Sequence, residues 1–289
     1  MMNRAFARRA VRRFMPGEDL DSALEAARVL AGQGLSTVVT QLGENLTSLA
    51  EADAVREHYA SAYDRIATDG LPTWPSVKPT QLGLDLSFDA CLQNLIALAD
   101  KAGSVGSMLW IDMEDSRYVD RTLDLYRRLK EPGRGPVGLC LQAYLKRTPD
   151  DLRSLLPLKP AVRLVKGAYA EPASIAFRAK GDTDVAYERL ARSLIDAAVR
   201  EEAFPVFGTH DIPLLARITR YAKDLRARDG AWEIHMLYGI RAAEQRALAS
   251  AGRRVRTLIS YGKHWFPWYM RRLAERPANV WFVVRSVFA

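Results

Sequence analysis

Cysteine and histidine are scarce in this sequence, and neither is arranged as a metal site or a disulfide framework. The two cysteines, Cys91 and Cys140, each lie in an apolar run, so we predict no disulfide bond and a reducing, cytosolic setting. The four histidines are scattered, and no H-x-x-x-H or C-x-x-C spacing occurs. Because a metal site needs several such ligands close together, we predict no bound metal.

Long apolar runs and the common nucleophile or nucleotide motifs are also missing. No stretch approaches about 18 consecutive apolar residues, and the N-terminus lacks the apolar segment of a secretory signal, which argues against a membrane-spanning helix. There is no P-loop and no G-x-S-x-G motif. We therefore expect a cytoplasmic protein whose contact with a membrane, where there is any, is peripheral.

Positive charge exceeds negative charge, and part of the excess lies near the N-terminus. The simplest interpretation of this segment is a solvated basic helix face, and a second is contact with the anionic inner face of a membrane. Elsewhere the charges are interspersed, without the aromatic and basic groove typical of single-strand binding, so we predict no nucleic-acid partner. The net charge is +8, and five arginines precede the first acidic residue, Glu18: Arg4, Arg8, Arg9, Arg12 and Arg13.

A regular alternation of short β-branched or apolar runs with helical segments predicts the fold. Such alternation implies a parallel sheet, and eight units in 289 residues fit a closed (β/α)8 barrel of the TIM type. The alternative is an open doubly wound sheet, which the absence of G-x-G-x-x-G after the first strand disfavours. The eight predicted strands are 37–40, 76–77, 108–111, 137–141, 162–165, 205–208, 233–236 and 255–259.

The barrel is predicted to take up most of the chain. Residues 1–34 precede the first strand and are predicted to form an N-terminal helical extension, and residues 35–289 the catalytic barrel domain. Two helix starts are also predicted. Thr148, followed by Pro149 and two aspartates, has the pattern of an N-cap, and Asp211 is placed to cap the helix after the sixth strand.

Polar side chains follow almost every predicted strand. In a (β/α)8 barrel the loops after the strands meet on one face, so we expect a binding site there. Arg163 alternates with apolar neighbours within the fifth strand, so its side chain is predicted to point into the barrel, where a buried charge needs a partner. The residues that follow the strands are Lys78, Asp112, Glu114, Gln142, Lys146, Lys166, Tyr169, Thr209, His210, Leu237, Tyr238, Tyr261 and His264.

Two adjacent arginines, Arg271 and Arg272, lie in a helical segment near the C-terminus. Glu275 follows Arg271 by four positions, so one interpretation is a surface helix with an ion pair. The other is a carboxylate site, because each planar guanidinium can donate two parallel hydrogen bonds. The predicted site is rich in positive charge, which favours an anionic ligand: Lys78, Arg163, Lys166, Arg271 and Arg272 against Asp112 and Glu275.

Several segments match the motifs of one family. The most specific are RLVKGAY at residues 163–169 and RRLAERPAN at residues 271–279. Further matches are SVKPT, ID, QAY, GTHD and MLYGI at residues 76–80, 111–112, 142–144, 208–211 and 236–240. The sequence therefore resembles the proline dehydrogenase (proline oxidase) family in its monofunctional bacterial form.

This resemblance implies a distorted (β/α)8 barrel that holds FAD, with the last helix lying over the barrel mouth. It implies oxidation of L-proline to 1-pyrroline-5-carboxylate by hydride transfer to flavin N5, with a quinone as electron acceptor. The implied catalytic residues are Lys78, Asp112, Arg163, Tyr169, Leu237, Leu258, Arg271, Arg272 and Glu275. The implied cofactor-binding residues are Gln142, Arg163, Lys166, Gly167, Ala168, Thr209, His210, Asp211 and Glu275.

The implied roles divide between substrate and cofactor. Lys78 and the two late arginines would bind the proline carboxylate, Tyr169 and Leu237 would pack around the ring, and Arg163 would donate toward the flavin N5 region. Positive charge near the flavin favours its electron-rich reduced form.

Two positions depart from the family pattern. Leu258 stands where the family has a tyrosine, which leaves room for hydroxyproline or another cyclic imino acid unless Tyr261 compensates. Asp211 stands where asparagine is common. A further alternative is a barrel that has kept its scaffold as a non-catalytic binding module.

Overall fold

The protein forms a closed barrel of eight parallel strands. A computed structural model describes residues 14–43, 46–131, 135–263 and 265. Each strand pairs with its neighbours in the chain, and β8 pairs with β1 to close the barrel, so the predicted (β/α)8 fold is confirmed. The strands are β1 (Ser36–Gln41), β2 (Thr73–Val77), β3 (Leu109–Ile111), β4 (Val137–Gln142), β5 (Ala161–Val165), β6 (Phe204–Gly208), β7 (Glu233–Leu237) and β8 (Val255–Tyr261).

Helices surround the barrel and connect successive strands. Helix α1 precedes β1, and each later helix lies between two consecutive strands, from α2 after β1 to α8 after β7. The helices are α1 (Leu20–Ala31), α2 (Leu49–Thr68), α3 (Phe88–Ser104), α4 (Val119–Leu129), α5 (Thr148–Leu155), α6 (Lys180–Val199), α7 (Ile212–Asp224) and α8 (Ala242–Ser250).

Helix α1 fills a position on the outside of the barrel beside β8 and β1. Its buried side chains, including Leu20 and Leu24, pack in one cluster with Val39 of β1 and Ile259 of β8. A regular barrel would place the helix that follows β8 there. Helix α1 lies within the predicted N-terminal extension, while residues 1–13 lie outside the described residues, so the boundary of the extension stays a prediction.

One of the two predicted helix caps is present. The side chain of Asp211 accepts a hydrogen bond from the backbone N–H of Leu214 and caps α7, as predicted. The prediction for Thr148 is wrong, because it is the first helical residue of α5 and no side chain caps that helix. Its hydroxyl instead donates to the carbonyl of Gln142, 2.6 Å away, and so ties α5 to the end of β4.

Alternate residues of each strand face the helices or the barrel interior. Leu109 and Ile111 pack in the apolar layer between strands and helices, while Trp110 between them faces the interior. Branched apolar residues usually fill such an interior. Here it also holds polar and charged side chains, which need partners: Ser76, Arg163, Glu233, His235 and Arg256.

Cys91 and Cys140 are free thiols, and both are buried. Burial raises the pKa of Cys91 to about 12, so this thiol remains protonated at neutral pH. Among the described helices, none combines the length and the apolar character that crossing a bilayer requires.

Candidate active site

Arg163 is the centre of a polar cluster inside the barrel, near the C-terminal ends of the strands. Its side chain is only 3% exposed, and its Nη2 donates to Asp112 and to the hydroxyl of Ser76, the latter at 3.0 Å. The Ser76 hydroxyl in turn donates to Asp112 at 2.8 Å. The guanidinium carbon lies 5.1 Å from the ring centre of Trp110, in cation–π contact. The prediction that Arg163 points inward to a partner is confirmed.

Several buried polar atoms of this region, including Nε1 of Trp110, lack a hydrogen-bond partner within the part of the chain that the structure describes, and two of them belong to a charged and an amide side chain. These two are Nη1 of Arg163 and Oε1 of Gln142. The Nε2 of Gln142 donates to the carbonyls of Met113 and Glu114, at 3.3 Å each, so its orientation is set. Because unpaired buried polar groups are costly, one spare donor and one spare acceptor here fit a ligand that carries the complementary groups.

Lys166, at the end of β5, belongs to a second cluster of charges. Its ammonium pairs with Asp184 of α6 and with Asp211, the latter at 3.0 Å. Burial alone would raise the pKa of Asp211, but hydrogen bonds from Lys166 and the Leu214 backbone outweigh it and lower the pKa. Both aspartates therefore remain ionised at neutral pH.

The residues after β6 join this cluster to β7. Thr209 is buried, and its hydroxyl accepts a hydrogen bond from the backbone N–H of Asp211 at 3.2 Å. The Nε2 of His210 accepts from the backbone N–H of Leu237 at 2.9 Å. The ends of β6 and β7 are therefore linked by a side chain that the sequence predicted to lie in the site.

The segment after β5 turns sharply at Gly167. This residue has a φ of 124°, and a Cβ there would lie 2.2 Å from the ring of Tyr144. Glycine therefore lets the backbone lie flat against that ring. Ala168 is exposed and Tyr169 half-buried, and Lys78 is buried at the end of β2.

Leu237 and Leu258 lie side by side where β7 and β8 end, and both are half-buried. Tyr261 is turned the other way: it is buried among residues of α1 and α2 and bonds His58 of α2 at 2.7 Å. The hypothesis that Tyr261 compensates for Leu258 is therefore wrong, because side chains three positions apart on a strand face opposite sides of the barrel wall.

Four of the residues predicted at or near the site lie outside the described residues: His264, Arg271, Arg272 and Glu275. The five arginines before Glu18 lie outside them as well. Other residues of the site were missed. Ser76 and Trp110 share a strand face with Lys78 and Asp112, and this period-two relation was the available signal. Glu171 was missed entirely, because its partner, Ser116, is 55 positions away.

A second pair of buried charges lies at the opposite end of the barrel interior, where β7 and β8 begin. Arg256 donates to Glu233 at 2.8 Å and to the carbonyl of Pro72 at 3.0 Å, and it stacks on Trp74. His235 lies 3.6 Å from Glu233, and burial lowers its pKa to about 4. His235 is therefore neutral at physiological pH.

No group of three or more metal-ligating acids, histidines or cysteines occurs among the residues with described positions. The closed parallel barrel has a second charge cluster where the strands end and an arginine whose Nη1 has no partner among the described residues, so this is a (β/α)8-barrel protein whose candidate ligand site lies on the C-terminal face. The family model described as "Proline dehydrogenase" matches residues 23–285. The chain therefore belongs to the proline dehydrogenase family, a family of oxidoreductases.

Individual relatives agree with this assignment. "Proline dehydrogenase 1" of Bacillus subtilis (strain 168) is 37% identical over 280 residues, which cover 97% of this chain and 91% of the relative. "Proline dehydrogenase" of Deinococcus radiodurans is 34% identical over 279 residues, which cover 95% of this chain and 89% of the relative. Both are similar to this chain over nearly their whole length.

A solved structure is similar in fold. Proline utilization A (PutA) from Bdellovibrio bacteriovorus, inactivated by N-propargylglycine, superposes with a TM-score of 0.84 at 24% identity. The match covers 91% of this chain but 32% of that one, so this chain spans about a third of its length. The likeness shows that the two barrels share a fold.

Proposed function

We propose that the chain is an FAD-dependent enzyme that oxidises L-proline to 1-pyrroline-5-carboxylate and passes the electrons to a quinone. The observation that carries the proposal is the polar cluster around Arg163, whose Nη1 is buried without a partner among the described residues in a chain of the proline dehydrogenase family. Such an arginine can donate to a ligand without first breaking its own bonds.

The residues at the barrel mouth suit the binding of a flavin. The spare donor of Arg163 and the spare acceptor of Gln142 fit a heterocycle with both kinds of group. Bound FAD would supply the acceptor for the hydride that leaves the ring carbon beside the proline nitrogen. The remaining proposed cofactor contacts are Lys166, Gly167, Ala168, Thr209, His210, Asp211 and Glu275.

The proposed substrate site combines cations with apolar surface. Lys78, Arg271 and Arg272 would bind the carboxylate, and Leu237 and Leu258 would cover the ring. A carboxylate held by several cations has its position and orientation set together, which is how binding energy accelerates a reaction. Tyr169, Asp112 and Glu275 would complete the surroundings.

The first test is the flavin itself. The purified protein should be yellow, and anaerobic addition of L-proline should bleach the flavin absorbance and release 1-pyrroline-5-carboxylate. A colourless preparation that does not take up added FAD would contradict the proposal. A flavin-bearing protein that proline does not reduce would favour the non-catalytic binding module.

The second test concerns the carboxylate site. Replacing Arg272 with Met removes the guanidinium while keeping most of the bulk, so we expect a large rise in KM for proline with FAD retained. The matched control is Arg220→Met, at an exposed arginine of α7. Equal KM values for the two variants would contradict the role of Arg272.

A second candidate substrate is hydroxyproline or another substituted proline. It is favoured by Leu258, which lies half-buried beside Leu237, and by Tyr261, which faces away from the interior. The space that a phenol would fill can then accept a ring substituent. The ratio of kcat/KM for hydroxyproline and proline decides this, and a strong preference for plain proline removes the candidate.

The proposed location is the cytoplasm, with peripheral contact to the inner face of a membrane through the basic segment before Glu18. A quinone acceptor would be reached there. Deleting residues 1–13 should weaken binding to anionic liposomes, and unchanged binding would contradict this contact. We propose no nucleic-acid partner, so DNA should not be retained in a salt-dependent manner.

A further inference from the structure

Three glutamates within the described part of the chain make the same two hydrogen bonds. In each case one carboxylate accepts from the backbone N–H and from the hydroxyl of a single serine or threonine. The three carboxylate clamps are Glu51 with Thr47 (2.7 and 3.1 Å), Glu114 with Thr80 (3.0 and 2.7 Å), and Glu171 with Ser116 (2.7 and 2.7 Å).

Two of the clamps connect different loops at the barrel mouth. Glu114 follows β3 and binds Thr80, which follows β2, while Glu171 follows β5 and binds Ser116, which also follows β3. The β3–α4 loop is therefore tied on both sides. The third clamp, of Glu51 to Thr47, is exposed and lies within one helix start, so it joins nothing distant.

The two interloop clamps stand beside residues of the proposed substrate site. Thr80, Glu114 and Glu171 each lie two positions after such a residue: Lys78, Asp112 and Tyr169. The spacing is short enough for a bond at one residue to fix the other. After β5 the link is direct, because the backbone N–H of Glu171 donates to the carbonyl of Tyr169 at 3.1 Å.

Other bonds hold the two loops close to the clamps. Gln142 donates to the carbonyl of Glu114, so the β3–α4 loop is also fixed from the barrel interior. Beyond Glu171, Lys146 donates to the carbonyl of Ala173 at 2.7 Å, and Ala176 bridges to Leu145. Between these bonds and Gly167, the side chain of Glu171 ties the Tyr169 segment to the β3–α4 loop.

We propose that Glu114 and Glu171 are positioning residues, which set Lys78, Asp112 and Tyr169 in one geometry by clamping three loops together. They act through their loops and are not catalytic residues. This inference rests on the proposed function, because it assigns the three positioned residues to the substrate site. Misplacement of a reacting or binding group by about 1 Å can cost about a hundredfold in rate, so small loop shifts matter.

The test compares alanine variants of the two interloop clamps with the exposed clamp. Glu171→Ala is expected to lower kcat/KM for proline about tenfold, mainly through KM, because it removes the bonds that hold the Tyr169 segment to the β3–α4 loop. Glu114→Ala is expected to lower it about a hundredfold, with a fall in kcat, because it affects both Lys78 and Asp112. The matched control, Glu51→Ala, should leave both constants unchanged.

A merely structural role would lower the yield of folded protein and leave kcat and KM per bound flavin at the wild-type values. That result for both variants would overturn the proposal. Glu171→Gln keeps one acceptor oxygen, and Ser116→Ala removes only the hydroxyl donor. An intermediate KM is therefore expected for both variants. If Glu114→Ala does not fold, Thr80→Val decides in its place, and wild-type kinetics for Thr80→Val would overturn the role of Glu114.

Hydrogen–deuterium exchange separates failure of this inference from failure of the proposed function. If the wild-type protein does not oxidise proline, the function fails, and the clamps are judged on exchange alone. Peptides covering residues 78–84 and 166–175 should exchange faster in Glu114→Ala and Glu171→Ala than in Glu51→Ala. Equal exchange in all three variants would overturn the proposal whatever the activity.

Discussion

Two arginines lie inside the same barrel, and their surroundings differ. Arg256, where the strands begin, binds Glu233 and the Pro72 carbonyl and stacks on Trp74. Arg163, where the strands end, binds Asp112 and Ser76 and leaves Nη1 without a partner among the described residues. The first pair has its hydrogen bonds made by the protein, whereas the second keeps one donor without a partner among the described residues, which is where we propose that a ligand binds.

This difference separates a structural charge from a functional one. Burying a charge is costly unless its hydrogen bonds are made, so a complete pair gains nothing by meeting a ligand. A charged group with an unused donor can still form a hydrogen bond with a ligand. The carboxylates differ too, because the side chain of Glu233 is 2% exposed and that of Asp112 is 20% exposed, within reach of water.

The largest expected effect is on stability, at the base of the barrel. Arg256→Met would leave the Glu233 carboxylate buried without its main partner, so we expect a loss of about 3–5 kcal/mol in the free energy of unfolding. Urea denaturation at neutral pH measures it, with the exposed Arg220→Met as control. Equal midpoints for these two variants would break the comparison.

The next effect is on activity, at the mouth. Arg163→Met should lower kcat/KM for proline by about 10²–10³-fold, because a fixed donor is lost where charge develops. Stability should fall less than in Arg256→Met, since Asp112 can be hydrated. Anaerobic flavin reduction and urea denaturation together test this. The comparison is wrong if the stability loss exceeds that of Arg256→Met while the rate of reduction is kept.

The stability of the protein should also depend on pH, through His235 near the end of the barrel where the strands begin. The pKa of His235 is lowered to about 4 in the folded protein, mainly by burial, so between about pH 6.5 and 4 the unfolded chain binds a proton that the folded chain does not. Stability should therefore fall as pH falls through this window, by roughly 3 kcal/mol. The variant His235→Gln should show a flatter pH dependence in thermal unfolding. An unchanged slope would show that other groups dominate.

The smallest expected effects come from two glycines that each lie against an aromatic ring. A Cβ at Gly138 would lie 2.6 Å from the Trp110 ring, and one at Gly167 2.2 Å from the Tyr144 ring. Either alanine variant should cost about 1–3 kcal/mol in unfolding free energy through overpacking. Only Gly167→Ala should also raise KM for proline, because it shifts the Tyr169 segment. An equal increase in KM in Gly138→Ala would contradict the distinction between the end of the barrel where the strands begin and the end where they finish.

Much of the fold follows from local pattern. The strands were predicted to within a few residues because their apolar runs are short and separated by helical segments. β2 was the poorest case: its run of Thr73–Val77 contains Trp74 and Pro75, which weaken the strand pattern. The prediction that Thr148 caps a helix was wrong, although its local sequence is typical of an N-cap. Its hydroxyl donates to the carbonyl of Gln142 across a turn.

The site was predicted less completely than the fold. Residues directly after strands, such as Asp112 and Lys166, are where a barrel places them, so their position could be predicted. Glu171 and Ser116 meet across 55 positions, and no local pattern indicates such a pair. Tyr261 was considered as a substitute for the tyrosine absent at Leu258, but its offset of three positions already predicts the opposite face of the strand, and the structure confirms that it faces outward.

The sequence by itself determined the barrel, the inward direction of its alternating strand residues and the family of the protein. Strand alternation alone could not distinguish the surroundings of Arg163 from those of Arg256, since each lies within a short strand rich in apolar residues. Their partners come from other strands and loops, far away in the chain, and only the closed barrel brings them together. Tertiary structure therefore decided that Arg256 is paired within the barrel and that Arg163 keeps a donor without a partner among the described residues.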